Sequence, residues 1–209
     1  MIRLPLILIG YLFGCLQTSF FLGKKKGLDI REHGSGNAGT TNALRVMGKK
    51  AGVIVFLGDM GKMILALLLT GWLSRFWGEE YLLLSRLYTA VGVVLGHDYP
   101  FYMDFKGGKG VALTGGLMLL LDWRIALYSL VSFAGLSLLT HIVSLASCVM
   151  LIGDEILFFI LVLNGSIDTG ILPVWEALTV FSGIVILALI RHRGNIDRLM
   201  KGEEKPLSI

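Results

Sequence analysis

The chain has 209 residues, 55% of them hydrophobic and 16% charged, with a formal net charge of +4 and a mean hydropathy of +0.75. Soluble domains carry about 25% charged residues, so this balance excludes an ordinary soluble globular domain. Spans of about 20 residues leave room for several membrane crossings, short loops and no separate soluble domain. A single all-α, membrane-embedded domain over 1–209 is expected, with no nucleic-acid partner.

In chain order, apolar runs cover 2–22, 51–73, 81–97, 111–121, 125–140, 142–163 and 171–190. The first has only Arg3 ahead of it, lacks a small-residue cleavage site and ends in Lys24-Lys25-Lys26. It reads as a retained first helix rather than a signal peptide. Cys15 and Cys148 lie in apolar runs, as buried bystanders rather than a disulfide or metal pair. Gly10-x-x-x-Gly14 and Gly92-x-x-x-Gly96 suit close helix contacts. Asp59 and Lys62 are three apart and can pair; a tie between helices and a functional role are both open for them. Asp154 and Glu155 face different directions on a helix and fit a polar cavity or an irregular helix end.

The run 111–121 is too short to span as a straight helix, and Asp122-Trp123-Arg124 follows it. A single crossing from 111 to 140 would bury that polar triplet. The alternative is seven crossings, with a short helix entered from a glycine loop at membrane depth, N-terminus outside and C-terminus cytoplasmic. Fourteen of the nineteen Lys and Arg residues then lie inside, as the positive-inside rule requires. Trp72, Trp77, Trp123 and Trp175 fall at the outer interface, as an aromatic belt would.

Seven crossings gather the polar, glycine-rich segments on one side. They are GSGNAGTTNALRVMG (Gly34 to Gly48), GHDYPFYMDFKGGKG (Gly96 to Gly110), THIVSLAS (Thr140 to Ser147) and HRGNIDRLMKGEEK (His192 to Lys205). In the first, small residues let backbone approach an anion and amides form a nest, with Gly36, Asn37, Gly39, Thr41 and Asn42 as candidate ligands. Arg45 adds a planar fork suited to phosphate. In the second, Lys106, Gly107, Gly108, Lys109 and Gly110 suit a phosphorylated group at a helix mouth; a basic anchor on anionic lipid is the alternative.

Gly34-x-Gly36-x-x-Gly39 formally matches a dinucleotide fingerprint, but no strand precedes it and Asp59 lies in an apolar run. No segment matches the G-x-x-x-x-G-K-S/T phosphate loop. His192 and Asp197 match an H-x-x-x-x-D acyltransferase pattern, without its companion blocks.

Together these blocks resemble the PlsY family of bacterial integral-membrane glycerol-3-phosphate acyltransferases, over nearly the whole chain. The resemblance implies a seven-helix enzyme of the cytoplasmic (inner) membrane with its site facing the cytoplasm. It implies acyl transfer from acyl-phosphate to the sn-1 hydroxyl of glycerol 3-phosphate, giving lysophosphatidic acid and phosphate. No metal, CoA or other cofactor is expected, and the soluble enzyme that makes acyl-phosphate is the expected partner besides the bilayer. Matched to the family's motifs, Ser35, Arg45, Lys109, His192 and Asn195 would be catalytic, with Gly107, Gly108, Ser144, Ser147 and Glu203 binding substrate. His141 stands where the family usually has arginine; Cys15, Gln17 and Met63 also depart from its pattern.

The expected mechanism is direct attack of the hydroxyl on the activated carbonyl, with Arg45 and Lys109 holding phosphates against mutual repulsion. Ser35, Asn195 and the glycine amides would fix orientation. Either His192 or the donor's own phosphate takes the proton. A CoA-dependent acyltransferase using His192 and Asp197, and a transporter of a phosphorylated solute, are the competing readings.

Overall fold

The computed structural model describes residues 2–207, which hold ten α-helices and three short 3-10 turns. The helices are α1 (Arg3–Gly14), α2 (Thr18–Lys25), α3 (Thr40–Met47), α4 (Lys49–Ser74), α5 (Leu82–Asp98), α6 (Val111–Leu121), α7 (Trp123–Thr140), α8 (Val143–Leu163), α9 (Val174–Arg191) and α10 (Arg193–Met200). Each apolar run of the sequence coincides with a helix, except the first, which makes two. Five segments are long and apolar enough to cross a membrane: Arg3–Lys25, Lys49–Ser74, Trp123–Thr140, Val143–Leu163 and Val174–Arg191. At 1.5 Å per residue, α5 is about 25 Å long and α6 about 16 Å.

The first run is not one continuous helix. It breaks at Cys15, Leu16 and Gln17, where Gln17 is extended (φ −86°, ψ 91°). The break is tolerated inside an apolar segment because other helices satisfy its backbone. Lys62 Nζ donates to Gly14 O at 3.0 Å and Leu16 O at 2.9 Å. The Gln17 amide reaches across to His97 O at 2.7 Å.

Above the break α1 and α5 are in intimate contact. A Cβ on Gly10 would stand 2.2 Å from Thr89 O, and one on Gly92 only 2.1 Å from Ile7 O. Gly14 and Gly96 repeat the arrangement against Val93 O and Tyr11 O, each at 2.2 Å. The two small-residue motifs therefore pack on one another, backbone to backbone.

One core cluster runs through the bundle from Leu6 to Ala188, with the Phe158 and Phe181 rings stacked 4.1 Å apart between α8 and α9. Asp154 is fully buried and accepts from Ser129 Oγ at 2.6 Å, a polar clasp between α7 and α8. Leu65, Leu130 and Leu139 are 60%, 66% and 81% exposed, a surface that lipid rather than water solvates.

The bundle has two chemically distinct ends. At one, Arg3 Nε pairs with Glu176 Oε1 at 2.6 Å, and Tyr88 OH donates to the same oxygen. Trp77, in the connection before α5, and Trp123 and Trp175, in the first turns of α7 and α9, are exposed there. At the other end lie the glycine-rich segments and the C-terminal tail. Residues 40–47 and 193–200, expected in loops, form α3 and α10 instead.

Candidate active site

The loop between α5 and α6 folds back over the end of α5. Gly107 N donates to Asp98 O and Gly108 N to His97 O, each at 3.0 Å. A Cβ on Gly108 would stand 2.0 Å from His97 Nε2, and one on Gly107 only 1.9 Å from His97 O. These glycines are thus required for close packing, and their amides are already engaged. That corrects the expectation that both amides face a phosphate. Arg191, at the end of α9, locks the loop from the other side through Nε and Nη2 to Gly108 O at 3.1 and 2.9 Å. Gly110, in left-handed conformation at φ +78°, opens α6. Lys106 projects into solvent.

Lys109 leaves this clamped loop pointing at the C-terminal segment. Its Nζ donates to Asn195 Oδ1 on α10. Asn195 Nδ2 donates to Glu204 Oε1 at 2.6 Å, which also accepts from Ser144 Oγ at 2.7 Å. Arg198 Nε holds the second oxygen of Glu204 at 2.6 Å. The carboxylate in this network is therefore Glu204. Glu203, assigned from the motif, is exposed. A turn at Gly202 (φ +70°) reverses the chain after α10, and the Leu207 amide ties the tail to His141 O at 2.7 Å.

Burial is the largest influence on Glu204 and opposes its ionisation. Hydrogen bonds from Asn195, Ser144 and Arg198, with the Arg198 charge, outweigh it and hold the carboxyl below its usual range. Burial, then repulsion from Arg198, lowers the Lys109 pKa. An electrophile or anion at Lys109 therefore meets a cation whose hydration is already partly stripped.

His192 caps α9 three residues before Asn195. Its Nδ1 lies 2.7 Å from Ala188 O. A carbonyl only accepts, so Nδ1 carries the proton and Nε2 keeps its lone pair. Burial pushes its pKa down to about 4. The Ala188 bond opposes the shift, while the Lys109 and Arg191 cations favour it. The ring is neutral at neutral pH. Asp197 is exposed, and the orienting partner of His192 is the Ala188 carbonyl, so no His192–Asp197 dyad forms.

The Gly34–Gly48 block forms a second, separate wall. Asn42 is buried on α3 and spends its whole amide on the loop before it. Its Oδ1 accepts from Ser35 N at 2.8 Å, and its Nδ2 donates to Ile30 O and His33 O at 3.1 and 2.9 Å. Asn42 is a bracket rather than the phosphate ligand expected. Gly34 must be glycine there, since its φ is +63° and a Cβ would stand 2.2 Å from Asn42 Oδ1. Gly39 precedes the first turn of α3, and Ser19 Oγ holds Ala38 O at 2.9 Å. Ser35, Gly36 and Arg45 are exposed, and Asn37 and Thr41 half-buried.

Arg31 joins this wall to the other loop. It pairs with Asp29 at 2.7 Å, holding that carboxyl below the usual carboxylate range, and donates to Met103 O at 3.0 Å. Met103 packs with Ile30 and Ala38.

The structure thus brings Lys109, Asn195 and Ser144 together through Glu204, with His192 at the root of α10. Ser35 and Arg45 share a wall, with no hydrogen bond from it to Lys109, His192 or Asn195 among the described residues. Ser147 faces its own helix, donating to Val143 O at 2.8 Å. Sequence reasoning missed Glu204, Arg191, Arg198 and His97. The position of Arg191 beside His192 was the available signal for one of them.

Comparison with known proteins agrees with this architecture. The family model described as glycerol-3-phosphate acyltransferase matches residues 4–202. A glycerol-3-phosphate acyltransferase of Clostridioides difficile is 38% identical over 200 residues, 95% of this chain and 92% of its own. One from Exiguobacterium sibiricum is 36% identical over 205 residues, 98% and 93% of the two chains. The crystal structure of PlsY (YgiH), an integral membrane glycerol 3-phosphate acyltransferase in its glycerol 3-phosphate form, superposes with a TM-score of 0.84. It is 33% identical, over 100% of this chain and 96% of that one. The chain belongs to the PlsY family of glycerol-3-phosphate acyltransferases, enzymes integral to the membrane.

Proposed function

We propose that this enzyme moves a fatty acyl group from acyl-phosphate to the sn-1 hydroxyl of glycerol 3-phosphate. The products are 1-acyl-glycerol 3-phosphate and inorganic phosphate, the first step of phospholipid synthesis. The observation that carries the reading is the Lys109–Asn195 contact beside a neutral His192. It offers a partly desolvated cation for an anion, an amide to orient it and a free ring nitrogen within one short segment. Glycerol 3-phosphate as the acceptor also follows from the form in which the similar PlsY structure was solved.

The hydroxyl oxygen attacks the acyl carbonyl carbon, and the bond from that carbon to the phosphate oxygen breaks. The hydroxyl proton goes to His192 Nε2 or to the departing phosphate. Arg45 and Lys109 neutralise the two phosphorylated substrates, with Ser35 offering an exposed hydroxyl on the first wall and Ser144 acting in the second through its hydrogen bond to Glu204. Acyl-phosphate is itself an activated anhydride, so no acyl-enzyme is required. The exposed Asp197 weighs against a CoA-dependent route through a His–Asp dyad.

In the membrane we place seven crossings: α1 with α2 as one broken span, then α4 to α9. The N-terminus lies outside, and the site and tail face the cytoplasm of a bacterial inner membrane. The lysines at 24–26, 49 and 50 support that orientation. Acyl-phosphate would arrive from its soluble synthase at the same face. Purified protein given labelled glycerol 3-phosphate and each donor in turn tests the proposal. Labelled lysophosphatidic acid with acyl-phosphate alone is the expected result, and product with acyl-CoA alone would overturn it.

A further inference from the structure

The buried charges of α4, Asp59 and Lys62, lie outside the Lys109–Asn195–Glu204 network, yet Lys62 reaches the loop that carries Lys109 by way of His97. Lys62 Nζ lies 3.0 Å from Gly14 O, 2.9 Å from Leu16 O, 2.9 Å from His97 Nδ1 and 3.2 Å from Asp59 Oδ1. An ammonium only donates, so His97 Nδ1 accepts and its ring proton sits on Nε2. Lys62 therefore fixes the rotation of the imidazole as well as its place. A buried ion pair alone is a poor stabilising device, and here Asp59 takes only one of the four contacts of the ammonium.

The other edge of the pinned ring lies under the glycine loop. A methyl group on Gly108 would meet His97 Nε2 at 2.0 Å, Cε1 at 2.7 Å and Cδ2 at 2.8 Å, all atoms of that one ring. The His97 carbonyl also receives Gly108 N at 3.0 Å and the Gln17 amide at 2.7 Å. Lys109 is the next residue.

We infer that Lys62 and His97 are positioning residues for acyl transfer: the imidazole held by Lys62 is the floor on which Gly108 rests, and it sets where the Lys109 ammonium meets Asn195. Neither side chain touches substrate. The inference rests on the role proposed above for Lys109.

The test is a cycle of variants measured as kcat/KM per folded molecule, with melting in detergent followed alongside. Gly108→Ala and His97→Ala are each expected to lose about tenfold or more, because one crowds the floor and the other removes it. In the double variant the methyl occupies space the ring has left, so the loss is no greater than that of either single variant. Losses that multiply would overturn the floor. Asp59→Asn/Lys62→Met removes both charges together and so leaves no lone buried ion. In that background Gly108→Ala is expected to cost less than about threefold, and an undiminished penalty would overturn the role of Lys62. Full activity in Lys109→Ala would remove the underlying reading instead, whatever the cycle shows.

Discussion

Asn195 is held between two opposite charges: its Oδ1 accepts from Lys109 Nζ, while its Nδ2 donates to Glu204 Oε1 at 2.6 Å. That double contact fixes which way the amide faces, and only a side chain with both a donor and an acceptor can make it. Asn195→Asp keeps the acceptor but sets a carboxylate against Glu204. Its kcat/KM is expected to fall by about 10²–10³, the scale for losing one preorganised polar contact in a water-poor site. Lys109→Ala is expected to fall at least as far. Steady-state rates at equal folded protein check both.

The pH dependence follows from the burial of His192. With its pKa pushed down to about 4, the ring stays neutral through the physiological range. The activity ratio of wild type to His192→Asn should be flat from pH 8 to about 5.5 and fall only on approach to 4. A limb near the ordinary value of 6.5 would contradict the buried, neutral ring. The fold feels the same shift. The unfolded chain takes the proton at higher pH than the native one, so His192 contributes stability that is present above 6.5 and is lost as pH drops towards 4.

Glu203 and Glu204 are neighbours with opposite fates. Glu204→Gln leaves Arg198 without its carboxylate partner and is expected to destabilise the protein by about 1–3 kcal/mol, with reduced activity. Glu203→Gln should melt and turn over like wild type. Because the Glu204 pKa is depressed, the carboxylate's contribution is complete above its unfolded pKa of about 4.5 and disappears as pH falls through the lower native value. Thermal melts of both variants across pH 3 to 7 check the pair.

Asn42→Ala removes three hydrogen bonds that hold residues 30–35. A loss of about 1–3 kcal/mol is expected from the buried groups left without partners. If Ser35 and Arg45 hold a substrate phosphate, KM should rise more than kcat falls, since the wall loosens while Lys109 and His192 keep their contacts. A KM for both substrates unchanged by Asn42→Ala would remove the wall from the site.

The helical runs were legible because apolar stretches of membrane length have few alternatives. The break in the first was not. Cys15-Leu16-Gln17 looks like continuing helix until Lys62, dozens of residues away, supplies the donor that its carbonyls require. Gly107 and Gly108 stood out in the sequence, but for the wrong reason: their amides serve α5, and His97 beneath them is what forbids a side chain. Choosing Glu203 over Glu204 turned on chain reversal at Gly202, which a motif alignment does not describe. Lys109 stands out in the sequence as a cation between glycines at a helix mouth, and Asn195 only through the family's motif. That the two side chains meet depends on α10 folding back over the glycine loop, which neither signal describes.

The glycines that bring α1 against α5 have a consequence well away from their own contacts. Carbonyl oxygens of each helix fit where a side chain of the other would stand, at four successive levels from Gly10 to Gly96. Two rods meshed like this cannot slide, so the axial offset between Leu16 and His97 is set by geometry alone. Lys62 can reach both only at that offset. If acyl transfer takes place beside Lys109 as proposed, its alignment is calibrated along the interior of the protein, by residues with no side chains at all.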